Sequence, residues 1–180
     1  MNGLDSFRNT RDTDIEDFLR FKSLEFEKRH WCATYLLVDM EAFDKNVLKI
    51  EGYFTLSNKV LSIANDVSKS KRKKLFNGIQ NGDTSLHVIL IGQLAKYIDE
   101  TVSPHLYGNT SMNELLDMAF EIIESVNNKI PCRCVLLECR DVDKEDTGKQ
   151  KRIDLHKKYQ ECGFVPLQKD GDLIQYIALI

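Results

Sequence analysis

The chain has 180 residues, enough for one domain with a core of its own. Charged side chains make up 29% of it and the formal net charge is −3, which excludes a protein that coats nucleic acid by bulk positive charge. No run of about 18 apolar residues occurs, so no membrane-spanning helix is expected, and the opening Met1-Asn2-Gly3-Leu4-Asp5-Ser6 lacks the basic-then-apolar pattern of a signal peptide.

From Asp14 to about Arg29, apolar residues recur at helical spacing (Ile15, Phe18, Leu19, Phe26), with Asp14 able to cap the start. Thr34 to Asp39 is a strand by its β-branched and aromatic content. A second strand, antiparallel to the first, lies within Val47–Ile63. The segment 65–82 is polar and basic, and Leu75, Phe76 and Ile79 suggest a short helix in it. Ser85–Lys96 is almost continuously apolar, the mark of a central strand buried on both faces, and His87 at its start reads as a satisfied structural histidine. Residues 97–110 read as a loop. Ser111–Asn127 is an amphipathic helix whose Ser111 and Glu114 form a capping box. Cys132–Cys139 is another buried strand, and 140–151 a charged loop. Ile153–Cys162 is a helix ended by Gly163, and two closing strands meet at the turn Lys169-Asp170-Gly171-Asp172. Strand–helix–strand–helix–strand order in the second half implies crossover helices on a mixed sheet, hence an α/β (α+β) fold.

Five cysteines form no Cys-x-x-Cys pair and no histidine stands at ligand spacing, so reduced thiols of a cytoplasmic protein without a metal site are expected. The start of the Ser111 helix follows a buried strand. It presents unpaired backbone N–H groups and the positive end of a helix dipole, which can receive a pyrophosphate or simply be capped. The run Lys69-Ser70-Lys71-Arg72-Lys73-Lys74 is either a solvated face or an electrostatic patch for phosphates. Glu138, near the end of a central strand, is either a solvated carboxylate or a general base. His156, one turn before Tyr159, is either a surface residue or lines an acceptor site.

Tyr159-x-x-x-Gly163-Phe164 closes the last helix and opens a strand. Taken in order with Thr34–Asp39, Gly52–Ser57, Ile91–Lys96, the helix at Asn113–Phe120 and Leu136–Cys139, it resembles the GCN5-related N-acetyltransferase (GNAT) superfamily. The likeness is to the bacterial group that includes toxin-type acetyltransferases, over roughly residues 18–180. The resemblance implies a single GNAT domain spanning 1–180, with a mixed, mostly antiparallel sheet splayed between two central strands and flanked by helices. It implies acetyl-CoA as co-substrate, no metal, and N-acetyl transfer to a primary amine by direct attack. Main-chain groups of Leu94, Ala95 and Lys96 would hold the acetyl carbonyl and pantetheine arm. Gly108, Asn109, Thr110, Ser111, Met112 and Asn113 would hold the pyrophosphate. Tyr159 would protonate the leaving thiolate, with Glu138 the candidate base. The family's phosphate loop usually reads R/Q-x-x-G-x-G/A, whereas Thr110 and Met112 stand here in place of glycines. Two other readings stay open: a toxin-type enzyme acetylating aminoacyl-tRNA, against which the net charge of −3 weighs, and a degenerate CoA-binding or regulatory module. A monomer or homodimer is expected, with no membrane partner.

Overall fold

The computed structural model describes residues 3–78, 84–101, 110–141 and 149–180, with no account of the side chains of 149–154. Its helices are α1 (Thr13–Asp17), α2 (Ser23–Lys28), α3 (Met40–Phe43), α4 (Lys69–Leu75), α5 (Met112–Asn127) and α6 (Lys149–Glu161). Its strands are β1 (Ala33–Val38), β2 (Ile50–Ser62), β3 (Ser85–Lys96), β4 (Cys134–Arg140), β5 (Val165–Asp170) and β6 (Leu173–Leu179). They form one six-stranded sheet in the order β1-β2-β3-β4-β6-β5. The pairs β1–β2, β4–β6 and β5–β6 are antiparallel, so the expected mixed α/β sheet flanked by helices is present. Internal contacts divide the chain into two compact units.

The first unit comprises Met1–Ser57 and Ile91–Ile123. Its core gathers Phe7, Phe18, Leu19, Ile50, Tyr53 and Ala95. Phe7 meets the Tyr53 ring edge-on at 5.3 Å, and the Tyr53 hydroxyl donates to the Ile15 carbonyl at 2.7 Å, so the one polar atom of this buried aromatic is satisfied. The helix expected over 14–29 runs from Thr13 to Lys28 but is interrupted by a π-helical turn at Phe18–Lys22. That turn buries Phe18 and Leu19 and leaves Phe21 and Lys22 exposed. Its N-cap is Asp12, not Asp14. Asp12 is extended (φ −147°, ψ 97°), and its carboxylate accepts from the amides of Asp14 and Ile15. Asp14 is already inside the first turn, where its charge complements the dipole.

The second unit comprises Asn58–Leu90 and Glu124–Ile180. Leu61, Ile63, Val88, Cys134, Leu136, Leu167 and Ile177 form an apolar floor, and Val67 and Leu75 of the α4 region pack on it. The short helix expected from Leu75, Phe76 and Ile79 lies earlier, at Lys69–Leu75, capped by Ser68; Ile79 falls outside the described residues. Gly163 (φ 87°) ends α6 and Gly171 (φ 58°) turns β5 into β6, both in the left-handed region that glycine enters without steric cost. His87, expected inside β3, is exposed. Full burial in β3 begins only at Val88; before it, Leu86 packs against the core while Ser85 and His87 face away.

Candidate functional site

In the first unit, β3 ends at Lys96 and α5 begins at Met112. Leu94 and Ala95 are buried at the strand end. The Lys96 carbonyl accepts from the side-chain amide of buried Asn9 at 3.2 Å, and the Tyr97 amide donates to the Glu51 carbonyl at 2.7 Å. These bonds fix the end of β3 between the N-terminal segment and β2. Sequence reading missed Asn9, because a lone asparagine so far from Lys96 along the chain carries no local signal.

The capping box at α5 is present. The Ser111 amide donates to Glu114 Oε2 at 2.6 Å, and the Glu114 amide donates to Ser111 Oγ at 3.1 Å. The Ser111 amide, with a smaller contribution from the Ser111 hydroxyl, holds the Glu114 carboxyl below its ordinary range. An anion arriving at this helix start must therefore displace a carboxylate from the Ser111 N–H. Thr110, one of the two residues in place of a family glycine, is buried, and its hydroxyl is 3.4 Å from Glu51 Oε2. The Thr110 side chain is thus directed to β2. Met112, the other, is half-buried as the first residue of α5, and Asn113 is exposed on the same turn. Gly108 and Asn109 lie outside the described residues.

In the second unit, Tyr159 on α6 is 5% exposed. Its ring lies 6.4 Å from Phe164 and 6.1 Å from Tyr176. Burial raises the phenol well above the usual tyrosine range, with a smaller contribution from Cys139. The proton therefore stays on oxygen through neutral and mildly alkaline pH, as a donor to a developing anion requires. His156, whose surface reading is overturned, is buried on the same helix. Its Nδ1 is 2.8 Å from the Tyr176 hydroxyl and its Nε2 is 3.1 Å from the Arg140 carbonyl. A carbonyl can only accept, so Nε2 carries the hydrogen, and in the neutral ring Nδ1 accepts from Tyr176. Strand β6 supplies Tyr176, and sequence reading missed it because its partner is on a helix.

Glu138 is a half-buried carboxylate in β4 with two donors on one oxygen. Lys59 Nζ of β2 and Gln175 Nε2 of β6 lie 2.6 Å and 2.7 Å from Glu138 Oε1. Gln175 is itself held, since its Oε1 accepts from Gln168 Nε2 at 2.7 Å. Lys59, Gln168, Lys169, Asp170 and Gln175 line a cavity of about 300 Å³ together with residues of the Ser62–Ala64 stretch. Among the described residues no group of carboxylates, cysteines and histidines could hold a metal ion. No described helix is long and apolar enough to cross a membrane. The five cysteines form no disulfide, and Cys134 and Cys139 are buried.

The chain matches no family model and no curated protein. Among solved structures it is similar to one described as a bacterial toxin, at 16% identity, over 99% of this chain and 84% of that one, with a TM-score of 0.65. It is similar to the AtaTR complex bound with acetyl-CoA, at 18% identity, over 97% of this chain and 86% of that one, with a TM-score of 0.62. It is similar to AtaT complexed with acetyl-methionyl-tRNAfMet, at 18% identity, over 96% and 85% of the two chains, with a TM-score of 0.63. At these identities the likeness is one of fold, and it spans nearly the whole chain.

Proposed function

We propose that the protein is a bacterial, cytoplasmic N-acetyltransferase that moves the acetyl group of acetyl-CoA to a primary amine by direct attack, with residues 1–180 as one catalytic domain. The observation that most supports this is the shared fold with an acetyl-CoA-bound toxin complex over 97% of the chain. Main-chain groups of Leu94, Ala95 and Lys96 hold the acetyl carbonyl and pantetheine. The N–H groups at the start of α5, from Thr110 to Asn113, take the pyrophosphate, with Gly108 and Asn109 preceding them. Oriented N–H groups stabilise the charge that develops on the thioester oxygen without reorganising. Tyr159, kept protonated by burial, donates to the departing thiolate. Glu138 receives the proton that the attacking ammonium must lose. The test is release of CoA thiol on adding acetyl-CoA and a panel of primary amines, followed with a thiol reagent. Thiol release above the buffer rate supports the reading, and no release with any amine, charged tRNA included, argues for a binding module.

A second reading, transfer to the α-amine of an aminoacyl-tRNA, is favoured by α4. Lys69, Lys71, Lys73 and Lys74 are exposed on this one short helix, an arrangement suited to phosphates. A structure of the same fold holds acetyl-methionyl-tRNAfMet. Acetylation of charged tRNA with a steep salt dependence, lost when the four lysines are replaced by glutamine, supports this acceptor. Unimpaired growth on overexpression counts against it.

A further inference from the structure

We propose that the outer edge of β1 is a self-association surface, on which a second copy of this chain adds its own β1 antiparallel. The sheet ends at β1 on one side and at β5 on the other. A strand edge invites pairing unless the sequence blunts it. β5 is blunted: it carries Pro166, Lys169 and Asp170, and its pairing with β6 shifts register between Pro166 and Gln168. β1, Ala33-Thr34-Tyr35-Leu36-Leu37-Val38, has neither proline nor charge.

The main-chain groups of β1 alternate between β2 and the outside. The Asp39 amide donates inward to the Lys49 carbonyl at 2.9 Å, and the Thr34 amide donates outward to Glu27 Oε2 at 2.7 Å. The register shift at Leu37/Val38 puts its extra residue, Glu51, on β2, so the alternation runs on along β1. Leu36 and Val38 therefore direct their N–H and C=O outward, as Thr34 does.

The occupant follows from how this edge matches itself. A second β1 running antiparallel about Leu36 sets Leu36 against Leu36 and Thr34 against Val38, and each pair exchanges both its N–H···O bonds. α2 leads into the strand and α3 leads out of it. Counting out equally from Leu36 sets Lys28 against Asp44 and Glu27 against Lys45, opposite charges both times, and all four residues are exposed. Trp31 before the strand and Met40 and Phe43 after it are each more than half exposed, so the apolar ends of the two copies meet. An unrelated strand would have to reproduce this order of charges, whereas a second copy carries it by symmetry. The Glu27 carboxylate, which stands on the edge in the single chain, exchanges the Thr34 amide for Lys45 of the second copy.

The experiment measures the mass of the full chain and its variants by sedimentation equilibrium up to the high micromolar range, with a thermal melt of each. The parent is expected to be a dimer. Leu36→Lys puts like charges at the two-fold axis and should leave a monomer with a cooperative melt. Leu36→Pro removes an N–H that β2 does not use and should do the same. Lys28→Glu and Asp44→Lys should each weaken the dimer by about tenfold, a charge contact being reversed on each side of the axis. An equimolar mixture of those two variants restores opposite charges at both contacts and should dimerise as tightly as the parent. A parent that stays monomeric throughout, a dimer that survives both Leu36 variants, or a mixture no tighter than its components overturns the proposal.

Discussion

Replacing Gly52 with alanine tests whether the seat of α5 is as tight as the structure has it. A Cβ on Gly52 would lie 3.0 Å from the Ala95 carbonyl oxygen and 3.0 and 3.1 Å from the two methyl carbons of Leu115. The carbonyl belongs to the β3 backbone, and Leu115 is fully buried, so neither neighbour can swing aside. Two effects compete. Gly52 does not adopt the left-handed region, so alanine suits its backbone and would stabilise by about 0.4–1 kcal/mol through the unfolded chain. Overpacking of a filled core costs about 1–3 kcal/mol. The net loss is then about 0–2.6 kcal/mol, which for a chain of this size lowers Tm by roughly 0–10 °C. Leu115→Ala alone should cost about 2–5 kcal/mol, and the double variant less than the sum, because the new methyl enters the space Leu115 vacates. Thermal melts and urea titrations of the four proteins give the cycle. A Gly52→Ala protein as stable as the parent or more so, with additive double-variant energies, would refute the close seating. A shift of Leu115 also moves the first turn of its helix, so acetyl-CoA affinity should fall in step with stability.

Glu114→Gln keeps the capping geometry and removes the negative charge from the start of α5, so acetyl-CoA affinity should rise on calorimetric titration; an unchanged or weaker Kd would place the pyrophosphate elsewhere. Tyr159→Phe should lower turnover by about 100-fold with little change in acetyl-CoA affinity, and unchanged turnover removes it from the acid role. Because burial raises the Tyr159 phenol above its usual 10.0, the pH–rate profile should show no loss from this group up to pH 10.0. Burial likewise pushes the Cys134 thiol from 9.0 up to about 11. The unfolded chain loses that proton first, so stability should fall as pH rises from 9.0 to about 11, and the urea midpoint of Cys134→Ala should fall less over the same window.

The elements were legible wherever a local period carried them. The α5 capping box is two residues three apart, and both its bonds form. The Gly163 and Gly171 turns are equally local. The first helix was legible in extent but not in its π turn or its cap, because Asp12 and Asp14 are equally plausible caps until the backbone of Asp12 is seen to be extended. The site was legible one residue at a time and not as groups. Glu138 was singled out, but Lys59 and Gln175, separated from it by 79 and 37 positions, reach it only through sheet pairing. His156 stayed open between a surface and an acceptor-site reading for the same reason, since its partner Tyr176 stands 20 residues away on β6. Strand alternation predicts which face a side chain takes, and pairing register decides whom it meets.

Calorimetric titration of the intact chain with acetyl-CoA tests the central claim most directly. The account predicts saturable binding at one site per chain, strengthened by Glu114→Gln and weakened by Gly52→Ala. No heat of binding at millimolar acetyl-CoA, from a protein that melts cooperatively, would contradict it.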